Sequence, residues 1–487
     1  MAQKSNKIEK RWLRLSKPAR RLRAASALVG LGLLLSGCGA GLPGLRPRQP
    51  DEGMVYLYLD PLPPAAARLQ VALGAIGAVQ QDGTEIPLST SLAEISGRAT
   101  RRQRLLAAGP LPAGEYSGIV VRTRSAALRG ESGDSALLVP EAPTRLDFQF
   151  IVRRQEGLVI ALALKYEDAV DASFHFSPAF SLYLPDRPAS GLMGFVANAR
   201  SSDITMFDKK SLQVFDVIAT GRGPSSLALD QRARRLYVSL AGEDAIEFID
   251  LDAGKIADRI KLIPGDQPAA LALHPDGKIL LCANRGSNTL SFIDTSSRAE
   301  LARIPVGNGP RYIAIDRAGR RAFVFNTLSN TVSVVDIVGQ IVVRTLSTDP
   351  SPVRGDFNRR GDRLYVIFET TPYVTVINPD TGVVIKRFPV RSGMDAIKVD
   401  PNTDLLYLGG RRELSVGVYE PFGLVAVDFL DTLTGIGYMA TDGDLNMLYL
   451  VAPTANRLLV SPRVRRRISG ELDVGDGPVW VSLMGEN

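Results

Sequence analysis

Everything after about residue 190 is one unit written seven times, and a repeat of that length leaves few folds open. Its clearest copy, Ile279–Arg320, reads ILLCANRGSNTLSFIDTSSRAELARIPVGNGPRYIAIDRAGR. ILLCA and TLSFID run apolar or alternate as strands do, and Asn284-Arg285-Gly286-Ser287-Asn288 between them is a loop. ELARIPV is a third strand, broken by Gly-Asn-Gly-Pro. RYIAID is a fourth, ended by an Asp-Arg-Ala-Gly turn.

Two markers keep the same time. Pro224, Pro268, Pro310, Pro352, Met394, Ile436 and Pro478 each open an apolar strand, at intervals of 44, 42, 42, 42, 42 and 42 residues. The residue closing the third strand gives Asp208, Asp250, Asp294, Asp336, Asn378, Glu420 and Ser461, spaced 42, 44, 42, 42, 42 and 41. Four strands in a unit of about 40 residues is the arithmetic of a β-propeller blade. Seven units predict seven blades.

The phrases LYVSLAGEDAIEFIDLDAGKIADRI, CANRGSNTLSFID, FVFNTLSNTVSVVD, GNGPRYIAID and ALHPDGK resemble the YVTN-type repeats of bacterial surface-layer-like propellers. The resemblance covers about 193–487 and weakens in copies six and seven, where ELSVGVYEP and NRLLVSP lose the Asn and Asp residues. It implies a seven-bladed propeller used as a surface or periplasmic binding scaffold, and no reaction. In related propellers the strand after Gly-x-Gly-Pro is innermost. The first copy here starts one strand late, at MGFVANA, and the chain ends on the innermost type, PVWVSLMGE. The C-terminal strand is therefore expected to complete the first blade from the axis side, which removes the open sheet edges.

The same register sorts the loops into two faces. The Gly-x-Gly-Pro connections share a face with the loops between second and third strands. That face offers Arg222, Asn284, Arg285, Asn288, Asn308, Arg311, Asn326, Asn330, Arg411 and Arg412 as candidate binding residues. Gly and Asn also suit tight positive-φ turns, which is the structural alternative for each of these loops. The opposite face carries Asp-x-x-Gly and Pro-Asp-Gly hairpins and reads as structural.

Ahead of the repeats the chain divides by composition. Residues 1–37 form a basic stretch, an apolar run of about a dozen residues, AASALVGLGLLL, and the ending Leu35-Ser36-Gly37-Cys38. That run is shorter than the roughly 20 residues a spanning helix needs. The ending resembles a lipoprotein lipobox, which implies cleavage before Cys38, a lipid on its thiol and anchoring in the cell envelope. Gly39 after the cysteine suggests the outer membrane, on its periplasmic face or at the cell surface. Residues 38–50, rich in Gly and Pro, read as a flexible tether.

Residues 51–185 lack the 42-residue period but hold about eight strand-like runs, among them MVYLYLD, YSGIVVRTRSAAL, RLDFQFIV and LVIALALKY. With no amphipathic helix, these predict a β-sandwich. Asp60-Pro61, LPAGEYSGIVVRTRSAAL and FIVRRQEGLVIALALKYEDAV followed by FHFSPAF resemble the DUF4382 family of bacterial lipoprotein domains, which adds no catalytic residue. The whole chain therefore reads as all-β: an N-terminal β-sandwich (51–185) and a seven-bladed propeller (186–487) closed by the C-terminal strand.

Charge and chemistry narrow the function. The formal charge is +7, but residues 1–37 hold nine Lys and Arg against one acid, so the remainder stands near 7 − 8 = −1. Nucleic acid loses its main electrostatic attraction. With Cys38 acylated, Cys282 has no disulfide partner and reads as a small buried hydrophobe. Two histidines, His175 and His274, are too few for an axial copper or haem site, and no Gly-x-Ser-x-Gly, Walker A, HExxH or EF-hand motif occurs. No cofactor or metal is expected, and the chain offers no catalytic motif. The reading is a membrane-anchored lipoprotein whose propeller scaffolds a protein or polysaccharide partner. The alternative is a lactonase-like hydrolase or lyase with a polar site in the central channel.

Overall fold

The computed structural model describes residues 49–485 apart from 99, 132 and 424. Cys38 and the apolar run before it lie outside the described residues, as does nearly all of the tether. The described residues form one compact unit.

The N-terminal strands are β1 (Glu52–Leu59), β2 (Leu69–Gln80), β3 (Glu85–Thr90), β4 (Glu94–Ser96), β5 (Arg104–Pro112), β6 (Gly114–Arg129), β7 (Asp134–Leu137), β8 (Thr144–Val152), β9 (Gly157–Leu164) and β10 (Phe180–Tyr183). The two layers expected of this region are joined into one sheet, ordered β10-β9-β1-β5-β3-β2-β6-β7, with β4 on β2 and β8 on β6. β3 is the hinge: it pairs with β2 through Glu85–Leu88 and with β5 through Ser89 and Thr90. The sheet thereby curls around Val55, Leu57, Ile76, Leu106, Ile119, Phe150 and Ile160.

All eight residues of β1 are buried, because both of its faces are covered. Val55, Leu57 and Leu59 point into the sheet's own core, while Met54, Tyr56 and Tyr58 join the core of the propeller. That division is the period-2 alternation of a strand applied to two different neighbours.

Seven four-stranded sheets follow. Their innermost strands are Pro224–Asp230, Pro268–Leu273, Pro310–Ile315, Pro352–Phe357, Ala396–Val399 and Tyr438–Asp442 for blades two to seven, and Pro478–Leu483 for the first. That last strand pairs antiparallel with Met193–Asn198, setting Gly194 against Leu483 and Val196 against Val481. The expected closure is therefore the observed one. Register moves one marker: Met447 faces Pro462 as Ile279 faces Asp294. Pro462, not Ser461, closes the third strand of the seventh blade, and the step from Glu420 is 462 − 420 = 42 residues.

Burial falls from axis to rim. The second and third strands are almost wholly buried, whereas the outermost strand of the second blade, KIADRIK, alternates exposed charge with half-buried Ile256 and Ile260. Charges on an unpaired edge discourage further strand addition. The rim of the first blade is covered instead. There Val159 of β9 packs with Val214 and Val217, and a Cβ on Gly157 would lie 2.0 Å from the Val217 carbonyl oxygen, so no larger residue fits. Tyr56 donates to Asp203 Oδ2 at 2.7 Å, and Arg104 Nε to Asp473 Oδ2 at 2.6 Å. The backbone N–H of Val214 meets Gln103 Oε1 at 2.7 Å. The N-terminal sheet thus sits on the first and seventh blades, where the ring closes.

The hairpin face is held by side-chain bonds to its turns and between blades. Asp250 Oδ1 accepts from the backbone N–H groups of Asp252 and Ala253, and Asp294 Oδ1 from those of Ser296 and Ser297. These bonds, Ala253's and Ser297's foremost, hold both carboxyls below the usual range. On the same face, wholly buried Lys209 stands 2.8 Å from Asp442, and Arg463 stands 3.0 Å from Asp400, each pair joining one blade to its predecessor. His274 also bridges blades. Its Nε2 lies 2.9 Å from the Gly319 carbonyl and its Nδ1 2.7 Å from Asp276, so it is more enclosed than a solvated turn residue. His175 is exposed, beside Asp171. Cys282 is free and buried, and burial pushes its thiol far above its ordinary pKa.

Candidate functional site: the loop face and the axis

The structure separates the ten candidate residues into two kinds. Asn284 and Asn326 are fully buried. Asn284 Nδ2 donates to Thr289 and Ser291, Asn326 Nδ2 to Thr331 and Ser333, so each ties its own loop shut. Asn288 and Asn330 hold φ of 58° and 57°, the left-handed region Asn tolerates best after Gly. Their Oδ1 atoms accept from the backbone N–H of Gly309 and Ser351, which open the next blade. These four asparagines are structural, as their turn chemistry allowed. Asn308 is exposed, with its backbone N–H on Ser329 Oγ at 3.0 Å.

The arginines are the available contacts. Arg285 and Arg412 are exposed, and Arg222 is exposed with Glu243 3.4 Å from its Nε. Arg222 also lines a cleft of about 610 Å³ between the N-terminal sheet and the first two blades, together with Tyr56, Arg200, Glu243 and Arg259. Arg411 is half-exposed, 3.7 Å from Asp395. Arg311 is more enclosed and lies 3.5 Å from Glu369 and 3.6 Å from Asp395. Desolvation, with Arg354 nearby, lowers the Arg311 guanidinium below its ordinary pKa.

Arg354 is the residue that motif-reading missed. It lies on the innermost strand of the fifth blade, with its guanidinium carbon 4.7 Å from the ring of Tyr312, 4.5 Å from Tyr438 and 5.3 Å from Trp480. Those rings belong to the fourth, seventh and first blades, and Tyr438 and Trp480 stack at 4.1 Å. A side chain that touches blades two and three places away around the ring must cross the central channel. Burial lowers its pKa below the ordinary guanidinium value.

A signal for this cluster exists. Two residues after each strand-opening marker stand Ser226, Ala270, Tyr312, Arg354, Ala396, Tyr438 and Trp480. Laid side by side, the seven copies show one position where three small residues leave room for three aromatics and an arginine. Among the described residues no group of three or more His, Cys, Asp or Glu is placed to hold a metal.

Comparison with known proteins agrees with this architecture. Residues 187–399 match the YNCE-like beta-propeller family. Nothing among the curated proteins matches the chain. A functionally unknown protein of Desulfotomaculum acetoxidans superposes on 61% of the chain and 99% of its own, at 14% identity and a TM-score of 0.54. A candidate 6-phosphogluconolactonase of Bacteroides fragilis covers the same 61% and 99%, at 15% identity and a TM-score of 0.52. At such identity these neighbours share the β-propeller fold and no more.

Proposed function

We propose that this protein is a binding scaffold of the bacterial envelope, tethered by lipid at Cys38, whose propeller captures an acidic protein or polysaccharide. The observation that supports it is the division above. Four of the five loop-face asparagines serve the fold, while Asn308, Arg222, Arg285, Arg411 and Arg412 stand exposed on that one face. A rigid ring of loops carrying scattered guanidinium groups suits a broad acidic surface, since each arginine presents a fixed fork to carboxylate or sulfate.

Reversing Arg222, Arg285 and Arg412 together to Glu tests the scaffold. Arg311 is left out, because removing it would strand Glu369 and Asp395. Capture from detergent-solubilised membranes is expected to fall, while the melting temperature stays nearly unchanged, exposed charges contributing within about 0.5 kcal/mol each. Undiminished capture would defeat the reading. The anchor has its own test: Cys38→Ala is expected to abolish incorporation of an alkyne fatty acid and release the chain from membranes. Persistent labelling would refute the lipobox.

One observation favours the lactonase-like reading: Glu369 and Asp395 converge on Arg311 near the axis. Hydrolysis of a sugar lactone by the purified protein, lost in Asp395→Asn, would promote it over the scaffold.

A further inference from the structure

We infer that the central channel holds an anion site built on Arg354, and that its ligand is a small monocarboxylate with an apolar flank. This deepens the scaffold reading and rests on the propeller being a binding module.

The argument begins with an imbalance. Lys209 and Arg463, two other enclosed cations of the propeller, each face a carboxylate, at 2.8 and 3.0 Å. Arg354 does not. Its Nε and Nη1 are buried without a hydrogen-bond partner among the described residues, and Asp395 acts on it only at longer range. The residue as a whole is only half-buried, but shielded N–H groups with no acceptor are costly, and three aromatic faces offset that in part. Ring faces attract the charge but accept none of the in-plane N–H groups. An oxyanion in the plane of the guanidinium would fork one of its two edges, Nε–H with Nη2–H or Nη1–H with Nη2–H, in the bidentate geometry that Arg and carboxylate share, and so meet one of the two unmet nitrogens.

Charge and surroundings select the anion. Around the axis Arg311 and Arg411 pair with Glu369 and Asp395, and Arg354 stands beside them without a carboxylate of its own, leaving 3 − 2 = +1. A monoanion neutralises that excess; a phosphate dianion would exceed it and lose more hydration among the rings of Tyr312, Tyr438 and Trp480. The same rings favour an apolar flank on the ligand. Arg311 and Arg411, nearer the loop face, supply the attraction that draws an anion inward.

Trp480 provides the readout, since the chain's other tryptophan is Trp12. Protein expressed with Trp12→Phe, so that Trp480 is the one tryptophan whether or not residues 1–37 are removed, is purified in detergent and titrated with cyclohexanecarboxylate, with the neutral cyclohexylmethanol and with phosphate. The carboxylate is expected to change Trp480 emission saturably and raise the melting temperature, binding at least about tenfold more tightly than phosphate. The alcohol should do neither. Arg354→Met should abolish the response and, with the unpaired charge gone, melt higher than the parent without ligand. Arg354→Lys, which keeps charge but loses the fork, should bind about tenfold more weakly. No saturable response to the carboxylate, equal binding of the alcohol or phosphate, or a response surviving Arg354→Met would overturn the proposal. So would a lower melting temperature or failure to fold in Arg354→Met, which would make the arginine a structural plug. Partner capture that depends on Arg222, Arg285 and Arg412 while no anion binds would leave the scaffold standing and remove the channel site.

Discussion

Deleting residues 475–487 is expected to unfold the N-terminal sheet together with the propeller. The lost strand, Pro478–Leu483, is the innermost of the first blade, and without it Met193–Asn198 becomes an open edge at the axis. Trp480, Val481, Leu483 and Met484 are buried in the core that also contains Met54, Tyr56 and Tyr58 of β1. At roughly 1.5–3 kcal/mol for each buried side chain, four of them contribute about 6–12 kcal/mol, comparable with the whole stability of a domain. The damage spreads because the sheet leans on the same place: Tyr56 bonds Asp203, and Arg104 bonds Asp473. Limited proteolysis should therefore cut residues 51–185 and the blades at similar rates, with aggregation through the exposed edge. A truncated protein that melts like the parent, or one whose N-terminal sheet alone survives intact, would contradict this account of the closure.

The sequence carried the ring because periodicity is local. Each blade repeats its own turn chemistry, so the blade count followed from spacing, and the closing strand and loop faces from that spacing together with the strand order of the propellers it resembles. The N-terminal docking was half visible. MVYLYL in β1 and LVIALAL in β9 are apolar without alternation, the mark of strands covered on both faces. Nothing local names the second cover, at Val214 and Val217, which lies 214 − 159 = 55 residues beyond Val159 of β9 and 214 − 54 = 160 beyond Met54 of β1. The channel was hidden for a different reason. Arg354 meets Tyr438 and Trp480 at separations of 84 and 126 residues, two and three whole repeats, so no window along the chain contains the cluster. The asparagines misled as binding candidates because positive-φ turns and ligand contacts draw on the same residue type.

The second large effect concerns Lys209. Its Nζ lies 2.8 Å from Asp442 Oδ2 and donates to the Met484 carbonyl, with both side chains fully buried. The pair therefore ties the first blade to the seventh, and the end of the closing strand to both. Asp442 is fixed independently, its Oδ1 accepting from the backbone N–H groups of Asp444 and Leu445, so it cannot swing out to water when its partner is removed. Lys209→Met keeps most of the volume and leaves that carboxylate unpaired, a change that costs about 3–5 kcal/mol in buried pairs. Coupling distinguishes this from a simple packing loss. Lys209→Met with Asp442→Leu removes both charges, and it should recover most of the stability, as buried pairs replaced by apolar residues often do. Asp442→Leu alone should be about as damaging as the lysine change, because it strands the ammonium. Denaturant melts of the four proteins complete the cycle. Additive losses would mean that the ion pair does not join the blades. A large recovery in the double variant would show that the two charges answer each other across the closing blades, and that the strand beside them holds the ring even when both are gone.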